Sequence, residues 1–255
     1  MSSRPRVAVF RPDDDRIRTA VELLEELGAA PIADPMLAVE PTGAVPRPAE
    51  FVVLTSKTGV ELAAEAGWSP ENAGPDGEAA ILVAIGPATA AAAREAGWSP
   101  DVVPEEYTSA GLVETLEGRV DGRTVEVARS DHGSPVLLEG LRAARADVHE
   151  TILYKLVRPP ESGRSAELAA LGDLDAAAFT SSLTVEHFLE AAEDRDVHED
   201  ALSGLDRAIV GAIGDPTRDT AESHGIAVDV VPDEATFEAL ARAVVEAATR
   251  RAESE

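Results

Sequence analysis

The chain contains one stretch of sequence twice, and this internal duplication constrains the fold more than any other feature. Three landmarks occur in both copies in the same order: an apolar run ending in Thr-Ser at 51–56 and 177–181, a turn around Ile-Gly at 83–89 and 211–217, and Val-Val-Pro at 102–104 and 230–232. In both copies the turn glycine precedes that proline by 18 residues (86 to 104, 214 to 232). A repeat period this long indicates duplicated domains and not a solenoid.

Apolar runs alternate with amphipathic helical patterns along each copy. The spacing of apolar residues predicts strands at 7–10, 51–54, 79–84, 101–103, 124–128, 177–179, 208–212 and 227–231. It predicts helices at 17–27, 57–66, 88–96, 109–116, 135–144, 183–193, 216–224 and 236–251. In two of these helices Gly67 and Gly97 should form the left-handed cap, with the following tryptophan folded back on the last turn. Such alternation predicts an α/β fold with parallel sheets covered by helices.

A shorter unit of strand, arginine and helix also occurs twice, with Arg11 after the first strand and Arg129 after the strand at 124–128. Extended segments follow the two short units, at 29–40 and 148–157. The order along the chain is therefore short unit, long copy, short unit, long copy. The pattern leaves open whether the domains are sequential or whether the chain crosses between them through the extended segments.

The 255 residues carry a net charge of -26 and include no cysteine. The acids are spread over helical faces, which indicates a solvated acidic surface adapted to high salt; a basic partner is the alternative. Nucleic-acid binding is excluded because no basic stripe exists to neutralise phosphates. Disulfides and thiolate metal sites are excluded as well. Without a long apolar run or an apolar leader, we expect a cytoplasmic monomer with no membrane partner.

The candidate binding residues follow the strands, where helix N-termini present free N–H groups to an anion. They are Arg11, Thr55, Ser56, Lys57, Gly86, Thr89, Arg129, Ser130, Thr180, Ser181, Ser182, Gly214 and Thr217. The alternative for each is structural, since Ser and Thr cap helices and Gly permits tight turns. Repetition of these turns in two copies favours an anion cradle.

Other sites lack their sequence signatures. The glycine-rich motifs of dinucleotide-binding and P-loop proteins are missing, and the histidines show no metal-ligand spacing, so we expect no cofactor and no metal. Tyr154, in the second extended segment, is the remaining chemical candidate. Its phenol can donate a proton or a hydrogen bond, or it can be a packing residue.

Several short motifs together resemble the uroporphyrinogen-III synthase family over nearly the whole chain. They are Val9-Phe-Arg-Pro, Leu54-Thr-Ser, Ala84-Ile-Gly-Pro-Ala-Thr, Ile152-Leu-Tyr, Phe179-Thr-Ser-Ser, Ala212-Ile-Gly and Val231-Pro-x-x-x-Thr. Each motif is short, and their order and spacing give the resemblance its specificity.

The resemblance implies a fold of two similar α/β domains, each a flavodoxin-like parallel sheet flanked by helices, with the active site in the cleft. A two-stranded linker joins the domains, and the chain starts in one domain, builds the other and returns. This implies the following division: domain one at 1–32 and 159–255, domain two at 41–147, and linker strands at 33–40 and 148–158.

The resemblance also implies an activity. Family members are lyases that close hydroxymethylbilane, a linear polycarboxylate tetrapyrrole, to uroporphyrinogen III, with inversion of the last pyrrole ring and loss of water. They use no cofactor. Tyr154 matches the tyrosine thought to assist departure of the hydroxyl, and Thr89 and Thr217 match residues that line the cleft. The alternative from another class is a non-catalytic two-domain module that binds a small anion in the cleft.

The charge generates a prediction about salt. Raising the ionic strength from low to molar should increase both the free energy of unfolding and the affinity for the polycarboxylate substrate, because screening relieves both kinds of repulsion. Denaturant unfolding and substrate titration at the two salt concentrations check it. A steep fall of affinity with salt, as for a basic cleft, would contradict the acidic-surface interpretation.

Overall fold

The computed structural model describes residues 4–12 and 14–254. The strands are β1 (Arg6–Val9), β2 (Ala30–Ala33), β3 (Ala38–Pro41), β4 (Phe51–Leu54), β5 (Ile81–Ala84), β6 (Thr124–Ser130), β7 (Asp147–Val157), β8 (Ala176–Phe179) and β9 (Ile209–Ala212). The helices are α1 (Asp15–Glu26), α2 (Lys57–Glu65), α3 (Pro87–Glu95), α4 (Ser109–Leu116), α5 (Pro135–Ala143), α6 (Arg164–Ala170), α7 (Ser182–Asp194), α8 (His198–Leu205), α9 (Asp215–Ser223) and α10 (Phe237–Ser254).

The first sheet has the strand order β2-β1-β8-β9, and each of these pairs is parallel. Its strands are almost wholly apolar because both faces are covered: α6, α7 and α8 contribute to the core on one face, and α1 and α10 to that on the other. The rings of Phe10 and Phe179 stack at 4.6 Å in the first of these cores.

The second sheet has the order β3-β7-β6-β4-β5, in which β4–β5, β4–β6 and β6–β7 are parallel pairs. Alternate residues of β6 point to opposite faces, so Val125 and Val127 enter the core formed with α4 and α5. Ala128 enters the core formed with α2 and α3 on the other face. The predicted α/β class with parallel sheets and flanking helices is confirmed.

The sheet pairings also distinguish the two chain orders that the sequence left open. Val7, Ala8 and Val9 pair with Ala176–Ala178, and Phe51–Leu54 pairs with residues 125–128. The first strand of the chain therefore shares a sheet with strands more than a hundred residues away, as the crossed order requires. Contacts divide the chain into two compact units, unit 1 at Met1–Ala38 with Val157–Glu255 and unit 2 at Val39–Leu156.

Some sequence expectations about elements are wrong. The strands predicted at 101–103 and 227–231 reduce to single bridges, Val83 to Val102 and Gly211 to Val230. Next to each bridge, an aspartate side chain accepts a strand N–H at 2.8 Å: Asp101 accepts that of Leu82, and Asp229 accepts that of Val210. The sequence predicts neither α6 nor α8, and β2 lies within the extended segment that it predicts at 29–40.

The caps of α2 and α3 have the predicted form. Gly67 and Gly97 adopt φ of 77° and 85°, and the N–H groups of Trp68 and Trp98 return to carbonyls in the last helical turn. The two indole rings meet edge to face with centroids 5.1 Å apart. This contact joins the ends of the two helices in unit 2, which favours packing roles for both tryptophans.

Glu126 is the main conflict with apolar packing in unit 2. It lies in the middle of β6, is fully buried, and finds no hydrogen-bond partner for either carboxyl oxygen within residues 4–12 and 14–254. Its neighbours in register are Val52 and His149. Burying a polar group without a partner costs stability.

We therefore predict that Glu126→Met raises the free energy of unfolding by about 1–3 kcal/mol, because a flexible apolar side chain replaces an unpaired carboxyl group. The exposed Glu139 provides the matched control, and Glu139→Met should change stability by less than about 0.5 kcal/mol. Denaturant unfolding in molar salt measures both. A less stable Glu126→Met protein would mean that the carboxyl group has a stabilising partner.

None of the helices within residues 4–12 and 14–254 has both the length and the hydropathy of a membrane-spanning segment.

Candidate functional site

The predicted residues of unit 2 lie where β4, β5 and β6 end and the next helices begin. Ser56 is the N-cap of α2, and its hydroxyl oxygen accepts the N–H of Gly59 at 2.9 Å. Gly86 occupies the corresponding position before α3, where Pro87 starts the helix. Thr55 directly precedes the Ser56 cap, and Thr89 in the first turn of α3 is only 4% exposed. These helix starts direct backbone N–H groups toward one edge of the sheet.

Tyr154 is placed by an irregularity in the β6–β7 ladder. Arg129 pairs with Ile152 and Ser130 with Tyr154, so Leu153 is an extra residue in β7. The bulge brings Leu153 and Tyr154 into the same core, although adjacent strand residues normally point to opposite faces. The Tyr154 ring is 7% exposed, and its hydroxyl lies 3.0 Å from the Ser56 hydroxyl. The phenol thus meets the N-terminus of α2.

Arg129 is engaged inside unit 2. Its guanidinium is buried, with Nε 2.7 Å from a carboxylate oxygen of Glu150 and Nη1 donating to the Ser134 carbonyl at 2.5 Å. Gly133 leaves room for it, since a Cβ there would lie 2.5 Å from the Arg129 side chain. The positive charge of Arg129 is therefore paired with Glu150. Ser130 follows it as the last residue of β6 and is partly exposed.

Asp131 is a neighbour of Tyr154 that the sequence analysis missed. Its carboxylate accepts the N–H of Leu156 at 3.0 Å and lies 2.8 Å from Nδ1 of His132. Partial burial raises the pKa of Asp131, but the hydrogen bonds from His132 and Leu156 outweigh it and leave the pKa below its usual value. The Asp131 N–H also bonds to the Tyr154 carbonyl at 3.2 Å. Asp131 thus holds β7 from the Tyr154 carbonyl to the Leu156 N–H.

In unit 1 the hydroxyl groups after β8 form a structural network. Thr180 donates to the Phe10 carbonyl at 2.7 Å, which ties the ends of β1 and β8 together. Ser181 caps α7 through a capping box with Thr184. Ser182 donates to the Pro216 carbonyl at 3.1 Å, which ties the start of α7 to the first turn of α9.

Gly214 caps α9 as Gly86 caps α3, and Thr217 in its first turn is 3% exposed, like Thr89. Asp215, at the first helical position, is ion-paired with Arg218 at 2.7 Å. The hydrogen bond to Asp219, followed by the charge of Asp215, raises the pKa of Arg218. The negative charge of Asp215 is therefore partly neutralised by Arg218 of the same helix.

Arg11 is half-buried and lies over the ring of Phe237, with its guanidinium carbon 5.1 Å from the ring centroid. Its Nε is buried and has no hydrogen-bond partner among the residues that the structure describes; Asp13, two positions further on, lies outside them. Burial lowers the pKa of Arg11, the nearby Arg16 lowers it further, and Asp14 acts in the opposite direction. An anion at this point would be stabilised by the arginine.

Lys57 is exposed in the first turn of α2, with Nζ 3.4 Å from a carboxylate oxygen of Glu61. In residues 4–12 and 14–254, no group of three or more acidic or histidine side chains could hold a metal ion. The buried His187 instead bonds to the Met36 carbonyl at 2.5 Å through Nδ1.

Comparison with known proteins identifies the family. The family model for uroporphyrinogen-III synthase HemD matches residues 18–242, most of the chain. A protein from Methanothermobacter thermautotrophicus assigned as a uroporphyrinogen-III synthase is 34% identical over 242 residues, which cover 90% of this chain and 93% of the relative. The chain belongs to the uroporphyrinogen-III synthase family. Members of this family close hydroxymethylbilane to uroporphyrinogen III with ring inversion and loss of water, so the chain is an enzyme of tetrapyrrole biosynthesis.

Solved structures of uroporphyrinogen-III synthases share the fold. A mutant enzyme from Thermus thermophilus matches with a TM-score of 0.63 at 23% identity, over 98% of this chain and 99% of the other. The enzyme from Helicobacter pylori matches with a TM-score of 0.57 at 15% identity over 98% and 99%. The family and fold class predicted from the sequence are confirmed.

For a uroporphyrinogen-III synthase, the candidate residues fall into two sets. Unit 2 holds Thr55, Ser56, Lys57, Gly86, Thr89, Arg129, Ser130 and Tyr154, and unit 1 holds Arg11, Thr180, Ser181, Ser182, Gly214 and Thr217. Within unit 2, the hydroxyl groups of Tyr154 and Ser56 are in hydrogen-bond contact at 3.0 Å.

Proposed function

We propose that Tyr154 assists the loss of hydroxide from hydroxymethylbilane and that helix N-termini hold the carboxylates of this substrate. The observation that carries the proposal is the position of the Tyr154 hydroxyl, 3.0 Å from the cap of α2. A phenol at a helix N-terminus lies where negative charge is stabilised. The oxygen that leaves the substrate gains negative charge in the transition state, and a hydrogen-bond donor at that point lowers the barrier.

The chemical step balances with the groups present. The bond between carbon and the hydroxyl oxygen breaks, the oxygen keeps the bonding electron pair, accepts the phenolic proton and leaves as water. The cation that remains on the first pyrrole, which carried the hydroxymethyl group, is attacked by the substituted α-carbon of the last pyrrole, and a spiro intermediate forms. The bond from that α-carbon to its original bridging carbon then breaks, and the bridging carbon, now cationic, bonds to the free α-carbon of the same ring, which is thereby inverted. The proton that is released when the pyrroles regain aromaticity returns to the phenolate.

Backbone N–H groups supply most of the proposed carboxylate binding. In unit 2 the proposed contacts are the starts of α2 and α3 with Thr55, Lys57, Ser130 and the paired Arg129; in unit 1 they are the starts of α7 and α9 with Arg11 and Ser182. The side chains of Thr89 and Thr217 are buried, so each contributes through its helix start. Such N–H groups attract carboxylates without adding surface charge, which suits a chain of net charge -26.

We also propose that the domain division implied by the family applies, with domain one at 1–32 and 159–255 and domain two at 41–147. The observed contact units support it. The segment 148–158, proposed as a linker strand, lies largely within β7, which pairs with β6 from Asp147 to Tyr154. The proposed linker segment is therefore part of the same continuous strand, β7, that pairs within the second sheet. We propose a monomer, and the short set of exposed large apolar residues among those described supports it: Val39, Val45, Val103, Tyr107, Val136 and Leu171.

The proposal predicts the effect of Tyr154→Phe. The rate of uroporphyrinogen III formation should fall by roughly 10²-fold, the low end for general acid catalysis, because the donor to the leaving oxygen is lost. Substrate affinity should change little, because the helix N-termini still bind the carboxylates. Initial rates, with isomer analysis of the oxidised porphyrin, measure the effect.

Unfolding of the same variant separates chemistry from packing. Tyr154→Phe keeps the buried ring, so the free energy of unfolding should fall by only about 0.5–1.5 kcal/mol, the contribution of one hydrogen bond. Parent-like rates would show that the hydroxyl has no chemical role. An unchanged rate together with a large loss of stability would make Tyr154 a packing residue.

A further inference from the structure

The Ser56 hydroxyl occupies a position between a helix N-terminus and the proposed proton donor. Its oxygen accepts the Gly59 N–H at 2.9 Å and lies 3.0 Å from the Tyr154 hydroxyl. Three groups thus follow one another: the first turn of α2, the serine and the phenol. A serine hydroxyl has one hydrogen to donate and two acceptor positions, so it can serve both neighbours at once.

The second copy of the duplicated unit shows what this turn looks like without a tyrosine. Ser181 corresponds to Ser56 and caps α7, and the Thr184 side chain completes the capping box by bonding the Ser181 N–H at 3.2 Å. Thr184 has its counterpart in Gly59, three residues after the cap. Unit 2 therefore lacks the reciprocal bond that the other copy has.

Gly59 lets β7 approach the start of α2 closely. A Cβ at this position would lie 3.1 Å from the Ser56 hydroxyl oxygen and 3.3 Å from a methyl carbon of Leu153, the bulge residue next to Tyr154. Its φ needs no glycine, because Gly59 lies within α2 and is not among the positive-φ residues. Close approach of β7 is thus the reason that the structure offers for glycine here.

We propose that Ser56 is a positioning residue for Tyr154 in the reaction, beyond its role as a helix cap. This inference rests on the proposed function of Tyr154. In the structure the Tyr154 hydroxyl donates to the Ser56 oxygen, which also accepts the Gly59 N–H. When the phenolic hydrogen turns to the departing hydroxyl, the Ser56 hydrogen turns to the phenol oxygen and keeps the contact. Donation to the phenol oxygen also stabilises the negative charge that develops there, because hydrogen bonds in a chain strengthen one another. The N-terminus of α2 adds to that stabilisation.

Substitutions at Ser56 separate the cap from the positioning role. Glycine keeps most of the capping free energy, and aspartate caps as well as serine, but neither donates a hydrogen bond from its side chain. Threonine keeps both functions. Thr108 is the matched control in the same unit, because it caps α4 by accepting the Gly111 N–H at 3.0 Å.

The test measures kcat, KM and the ratio of type III to type I isomer for Ser56→Gly, Ser56→Asp, Ser56→Thr and Thr108→Gly, each in the parent and Tyr154→Phe backgrounds. Ser56→Gly and Ser56→Asp should lower kcat by about tenfold with little change in KM, within the range of coupling between contacting residues. Ser56→Thr and Thr108→Gly should stay within about twofold of the parent. In the Tyr154→Phe background, Ser56→Gly should have no further effect.

The outcomes distinguish the two proposals. If Tyr154→Phe slows the reaction but Ser56→Gly does not, or if their effects multiply, the positioning role is overturned and the role of Tyr154 stands. If Tyr154→Phe has the parent rate, both are overturned. A fall in kcat for Thr108→Gly equal to that for Ser56→Gly would assign the effect to loss of a cap.

Discussion

Parallel strands cannot be joined by tight turns, and this constraint organises both units of the protein. Each crossover needs a helix that starts at the carboxyl edge of the sheet, so the N-termini of successive helices collect along that edge. Here Ser56, Gly86, Ser181 and Gly214 occupy those starts. Unpaired N–H groups are therefore available to an anionic substrate wherever the fold returns to this edge. A chain with two lysines can bind a polycarboxylate in this way.

Duplication provides two versions of the same turn, and their differences support the chemistry proposed for unit 2. In unit 1, Ser181 and Thr184 form the two reciprocal hydrogen bonds of a capping box, and Thr180 bonds to the end of the neighbouring strand, so the turn is mainly structural. In unit 2 the corresponding cap bonds to Tyr154 instead. A bulge in β7 and a glycine in α2 accompany that contact: the bulge turns Leu153 and Tyr154 to the same face, and Gly59 leaves room for Leu153.

Much of the fold could be predicted from periodicity and duplication, and the observed exceptions have physical reasons. The Ala-rich helix α6 carries too few large apolar residues to show a helical period; it packs closely on α8, where a Cβ at Gly204 would overlap the Ala169 carbonyl. The predicted strands at 101–103 and 227–231 form only one bridge each, because the neighbouring strand N–H groups bond to side chains. The N–H of Leu82 bonds to the Asp101 carboxylate, and the N–H of Val210 bonds to that of Asp229. Glycine and serine turns predicted where the helices begin after the strands. The bulge at Leu153 could not be predicted because it depends on the register with another strand.

In the proposed mechanism, these helix starts and one phenol direct ring closure with inversion. The isomer composition of the porphyrin that the purified chain forms from hydroxymethylbilane in molar salt tests this claim most directly. The substrate closes spontaneously to the uninverted type I isomer, so an enzyme that orients the last pyrrole must yield predominantly type III. We predict type III in excess, increasing with enzyme concentration. A type I product at every enzyme concentration, with the tetrapyrrole bound, would contradict the mechanism and would leave a non-catalytic binding module.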